Sequence, residues 1–273
     1  MSAEICIGTS GYSYDDWVGP VYPDNLKKTD WLTYYAEHLF RCTEINYTYY
    51  RLPAARTLKA MADKTPPGFL FTIKASQELT HGRDDPDAFD KFTSALYPLL
   101  EANKFGCVLA QFPTSFHNTP ENQDYLRRLR ERLSDLPTVV EFRNREWIED
   151  EVFELLRECR LGFCAVDQPQ FKTLVPPIAE VTGPIAYVRF HGRNYAKWWS
   201  HAESYERYDY QYSEEELREW VPKIRDMAAQ SEKLFVFANN HYQGQAVTTA
   251  QQLAMLLQGA GLAVGGQSLP GAA

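Results

Sequence analysis

A chain of 273 residues, 44% hydrophobic and with a formal net charge of −8, holds enough apolar material for one α/β barrel or two smaller domains. Its acidity excludes a global attraction to nucleic acid or anionic membrane, though not a local basic pocket. Five cysteines in no paired metal spacing exclude a disulfide framework and a zinc site.

The N-terminus lacks a basic stretch followed by an apolar core, and no run reaches the ~20 apolar residues of a membrane span, so a cytoplasmic protein is expected.

Eight apolar segments read as strands in chain order. They are ICIGTS, CTEIN, FLFTIK, GCVLAQF, TVVEFR, GFCAVD, IAYVRFH and LFVFANNH. Between them the pattern predicts helices over 29–40, 54–63, 85–102, 119–133, 149–160, 213–229 and 247–257. Asp85-Pro86 and Thr119-Pro120 read as a cap followed by proline at the first helical position. Ser213 with Glu216 reads as a capping box. The stretch 168–183 has little periodicity, and a loop or an irregular, degraded helix is expected there.

Eight strand–helix repeats with strands apolar along most of their length predict the α/β class and a single TIM-type (β/α)8 barrel over 1–258. The Gly- and Ala-rich tail, 259–273, reads as a short closing segment followed by disorder. An open doubly wound sheet is the competing architecture, but no Gly-rich phosphate loop follows the first strand. Insertions over 11–28 and 192–212 are dense in Tyr and Trp. They read equally as a stacking lid over the barrel mouth or as a small core on its rim.

Nearly every strand segment ends in a polar or charged residue, and in a parallel barrel these ends converge on one mouth. Alternation points Glu44 with Asn46, Glu141 with Arg143, and Arg189 with His191 and Arg193 toward the axis. Ile45, Phe142 and Phe190 then point to the helices. Buried charges need partners, so these residues form either a structural ion network or a preorganised pocket.

In the pocket reading, Glu44, Glu141 and His191 are the candidate acid–base groups. Lys74, Arg143 and Arg189 hold a phosphate or carboxylate. Gln111, Arg193, Asn239 and Asn240 add polar contacts, and Trp17, Tyr49 or Tyr50 stack on a ring. Glu44 and Glu141 stand on nearly opposite strands, at a separation of the order glycosidases use, roughly 5–9 Å. His241 and Asp167 complete the strand-end groups that a divalent metal would draw on. The scattered spacing and the neighbouring cations argue for no metal and no cofactor.

The motifs IGTSGYSYDDWVGPVYP, TEINYTYYRLP, FTIKAS, LAQFPTSF, VVEFRNREW, VRFHGRN and FANNHYQGQA together resemble the domain of unknown function 72 (YecE-like) family, from residue 5 to about 253. The resemblance implies a TIM-type barrel and a shared pocket of Glu44, Asn46, Lys74, Gln111, Glu141, Arg143, Arg189, His191, Asn239 and Asn240, and no particular activity. Ala238 and Thr249 depart from the family pattern, where Phe and Asn are expected.

The function expected is a metal-free enzyme, a hydrolase or isomerase, using carboxylate acid–base chemistry on a small anionic sugar- or nucleotide-like molecule. The alternatives are binding or cleavage of a nucleic-acid phosphodiester, which the net charge disfavours, and a non-catalytic metabolite-binding protein.

Overall fold

The computed structural model describes residues 3–265. Eight strands form a closed barrel, each parallel to its neighbours, with the last pairing on the first. They are β1 (Glu4–Ser10), β2 (Cys42–Ile45), β3 (Leu70–Lys74), β4 (Phe105–Gln111), β5 (Thr138–Glu141), β6 (Gly162–Asp167), β7 (Ile185–Phe190) and β8 (Lys233–Ala238). The (β/α)8 expectation therefore holds.

The helices are α1 (Trp31–His38), α2 (Ala55–Asp63), α3 (Ala88–Glu101), α4 (Pro120–Leu133), α5 (Asp150–Glu158), α6 (Glu214–Arg218), α7 (Val221–Gln230) and α8 (Gln245–Gly259). None is long and apolar enough to cross a membrane.

Local chemistry sets the starts of two helices directly. The Thr119 hydroxyl accepts from the Asn122 amide, with Pro120 in the first turn of α4. Ser213 and Glu216 form a reciprocal capping box on α6. The Asp85-Pro86 signal is instead a turn: Asp85 Oδ1 accepts from the Asp87 amide at 2.9 Å, and the helix starts at Ala88.

Of the two readings of 168–183 the loop holds and the degraded helix does not, since among the described residues no helix lies between β6 and β7. One other expectation needs correction. The stretch 213–229 is two helices, α6 and α7, because Trp220 sits at the junction with its indole tied to Asp167 and Pro222 opens the second helix. Beyond α8, Val264 bridges to Ile5 on the edge of β1, and the rest of the tail expected there lies outside the described residues.

The lower barrel is filled by side chains. Tyr187 packs between Phe235 and Phe237, with ring centroids at 6.0 and 5.4 Å. Gly106 makes this possible, since a Cβ there would lie 2.8 Å from Phe235 Cζ.

The aromatic insertions form small cores on the rim in part, with Tyr195, Trp199 and Tyr205 exposed. Trp17 and Tyr22 are buried, Tyr22 stacks on Trp31 at 5.1 Å, and Trp198 and Tyr212 are buried in the second insertion. Only part of the aromatic material faces the mouth.

Candidate functional site

The strand ends open into a cavity of about 540 Å³ at the barrel mouth. Of the residues anticipated there, Glu44, Asn46, Tyr50, Lys74, Gln111, Arg143, Arg189 and Asn239 line it. Tyr12, Tyr14, Tyr47, Arg207, Tyr208 and His241 line it too.

The floor is one ion network. Arg189, at the end of β7, donates from Nη2 to Glu44 Oε1 and from Nη1 to Glu141 Oε2, both at 2.6 Å. A single guanidinium thus fills the space between the two carboxylates, which do not face each other across an open gap. Glu44 is closed from below by the Tyr187 hydroxyl, which donates to Oε2 at 2.7 Å. Arg143 Nη2 lies 3.0 Å from Glu141 Oε1.

Glu141 and His191 are brought into this network but lie behind the cavity wall, fully buried. Asn239 Nδ2 lies 3.0 Å from His191 Nδ1, and His191 Nε2 lies 3.2 Å from Glu141 Oε1. An amide nitrogen only donates, so Nδ1 accepts and Nε2 carries the proton. That fixes a neutral imidazole. Burial, reinforced by Arg143, pushes its pKa down to about 3. Burial alone would raise the Glu141 carboxyl, but Arg143, Arg189 and His191 outweigh it and hold it well below the usual range. Neither group is poised to exchange protons near neutrality.

Lys74 differs from the other cations. Its Nζ donates to Gln111 Oε1 at 3.0 Å and sits 4.6 Å from the Tyr49 ring centroid. No carboxylate oxygen among the described residues pairs with it. Burial, then the charges of Arg189 and Arg143, push its pKa down to about 7 against the pull of the two glutamates.

Four anticipated binding residues are placed elsewhere. Trp17 is buried in the rim, its indole donating to the His241 carbonyl at 2.7 Å. Tyr49 does not line the cavity itself but backs two residues that do, Lys74 and Tyr50. Asn240 turns away to the Tyr210 carbonyl and Thr249 Oγ1, both at 2.9 Å. The departure at Thr249 thus supplies a partner for Asn240.

Arg193 does not continue the inward row, because β7 ends at Phe190 and Gly192 turns the chain at φ +88°. It instead pairs with Asp167, with Nη2 2.7 Å from Oδ2. Asp167 faces the helix layer, not the mouth, and also accepts from Trp220 and Tyr212.

The sequence reading missed Tyr187, although it lies two residues before Arg189 and obeys the same alternation. It also missed Arg207, which comes from a long insertion whose path no periodicity specifies.

One buried imidazole, His191, and one half-buried, His241, make stability depend on pH. His241 is likewise held down by burial, to about 4. A histidine whose folded pKa lies below its unfolded value binds fewer protons when folded. Its contribution is complete above pH ~6.5 and is lost toward pH 3 for His191 and pH 4 for His241. Each group contributes a slope of about 1.4 kcal/mol per pH unit within its window. Urea unfolding at pH 7, 6 and 5 should show stability falling stepwise; equal stabilities at the three values would contradict neutral burial.

A family model described as "Protein of unknown function DUF72" matches residues 6–272. UPF0759 protein YunF of Bacillus subtilis is 31% identical over 274 residues, spanning 93% of this chain and 94% of that protein. A solved DUF72 family protein of Thermotoga maritima superposes with a TM-score of 0.86 at 40% identity, covering 93% of this chain and 99% of its own. One from Enterococcus faecalis gives 0.82 at 26% identity, covering 93% and 95%. A fusion protein described as a xylose isomerase-like TIM barrel with 4-hydroxyphenylpyruvate dioxygenase gives 0.52 at 12% identity, covering 98% and 46%, a likeness of fold alone.

Proposed function

The chain belongs to the DUF72 family of proteins of unknown function, and we propose that its barrel mouth is an enzyme site for a small anionic molecule with a sugar- or nucleotide-like body. The carrying observation is charge. Lys74, Arg143, Arg189 and Arg207 stand on the cavity wall, against Glu44 on the wall and Glu141 behind it. Such an excess selects an anion; the Arg189 fork is taken by the two glutamates, so direct contact falls to Arg143 and Arg207.

The rest of the wall suits a polar body. Asn46 Oδ1, Arg189 Nε and His241 Nδ1 are buried without hydrogen-bond partners among the described residues. They supply an acceptor, a donor and a ring nitrogen to hydroxyl groups. Tyr14, stacked on His241 with centroids 4.5 Å apart, gives a flat face. Proton transfer falls to the groups that reach the ligand, Glu44 and Lys74. Glu141 and His191 hold Arg143 and Arg189 in place.

The test is calorimetric titration of inorganic phosphate and of a sugar phosphate into the wild type and Arg143→Met. A charged contact of this kind is worth about 1.5–3 kcal/mol, so affinity should fall roughly tenfold or more in the variant. Unchanged affinity, or no binding to the wild type, would discard the anion site.

A further inference from the structure

We propose that Lys74 is a nucleophile, forming an imine with the carbonyl carbon of an anionic aldehyde or ketone held at the barrel mouth. The proposal rests on the anion-site reading and names the substrate class for it.

Three geometric conditions point to this role. The first is access. Lys74 ends β3 on the cavity wall, and Thr48 Oγ1 donates to its carbonyl at 2.6 Å, fixing the backbone that carries it. The second is the choice of partners. A buried cation kept for structure is normally matched by a carboxylate, as Arg189 is here, or ringed by several oxygens, as Lys104 is by Ala62 and Thr65. Among the described residues Lys74 has only the neutral Gln111 oxygen, which it shares with Arg143 Nη2 at 3.2 Å. The third is the surrounding charge. Arg189 and Arg143 face it from β7 and from beyond β5, and Tyr49 covers one side. His81 approaches from the segment after β3, its pKa lowered by burial and then by the Lys74 charge.

Glu44 and Glu141 attract the ammonium, but both carboxylates are already committed to Arg189. Desolvation beside other cations is how a lysine becomes an amine nucleophile. With a pKa of about 7, roughly half of it is neutral at pH 7, against less than a thousandth of an ordinary lysine.

The step balances without an outside reagent. The Nζ lone pair forms the N–C bond as the carbonyl π pair moves to oxygen. Proton transfer from nitrogen to oxygen gives a carbinolamine. Its hydroxyl then leaves with a proton as water, and C=N forms. The net change is amine plus carbonyl to imine plus water. Arg143 and Arg207 hold the substrate's anionic group while this happens.

The test uses the full chain at pH 7 with glyoxylate in one arm and pyridoxal 5′-phosphate in the other, representing a carboxylate and a phosphate anion. Sodium cyanoborohydride reduces any imine to a stable secondary amine, read by intact mass and peptide mapping. The expected result is one adduct per chain, on Lys74, formed on the order of a hundredfold or more faster than on any surface lysine in at least one arm. The productive arm tells which anion the site prefers.

Lys74→Met should abolish that adduct. Gln111→Glu, which supplies the missing carboxylate and keeps side-chain size, should slow it about tenfold or more while leaving the circular dichroism spectrum unchanged. Labelling of Lys74 no faster than surface lysines in both arms, with phosphate still bound in the calorimeter, overturns the nucleophile and leaves the anion site standing. Loss of both overturns the anion reading as well.

Discussion

Arg189→Met should destabilise the folded protein by about 3–5 kcal/mol at pH 7, the cost of removing one partner from a buried ion pair. Here the loss falls on two carboxylates at once, Glu44 and Glu141, both fully buried. Among the described residues Glu44 keeps only the Tyr187 hydroxyl. Glu141 keeps Arg143 and His191. The sign of the pH dependence follows. Without Arg189, protonating the buried carboxylates relieves the strain, so the gap between variant and wild type should narrow as pH falls from 7 to 5. Urea denaturation at both pH values measures it. A variant within 1 kcal/mol of wild type at pH 7 would mean that the network contributes little to the fold.

Asp167→Ala should be nearly as damaging, by about 3 kcal/mol or more, through a different mechanism. The carboxylate accepts from Trp220 Nε1 at 2.7 Å, from the Tyr212 hydroxyl at 2.6 Å and from Arg193 Nη2 at 2.7 Å. Alanine leaves a buried indole N–H and a buried phenol without their acceptor, each costing about 1–3 kcal/mol. The α6–α7 junction and the second insertion should loosen together. Faster amide exchange in 192–222 than in β2 and β3 would show it, and uniform exchange would contradict the anchoring role.

The reach of the sequence can be judged from these residues. Strand ends were legible because the period of two fixes direction: Glu44, Glu141 and Arg189 all turn toward the axis as alternation required. Helix starts at Thr119 and Ser213 were legible because capping chemistry is local.

Depth was not legible. Glu44 reaches the cavity while Glu141 lies behind its wall, a distinction set by barrel stagger and by the path of Arg143 after β5. Nor was the end of a strand. Gly192 breaks the row that would have carried Arg193 inward, and Asp167, one residue off the inward register, captures it. Trp17 read as a stacking residue because composition cannot tell an aromatic that faces a ligand from one buried beneath its neighbours.

The guanidinium clasp also constrains the order in which the molecule can be made. A nascent chain completed only through β4 contains Glu44, while Tyr187 and Arg189, which hydrogen-bond that carboxylate, are still unsynthesised. Burying Glu44 at that stage would strand a bare anion in an apolar interior. The amino-terminal half therefore has no reason to settle early as an independent unit. The clasp waits for β7 and closure for β8, so the barrel assembles late and as a whole.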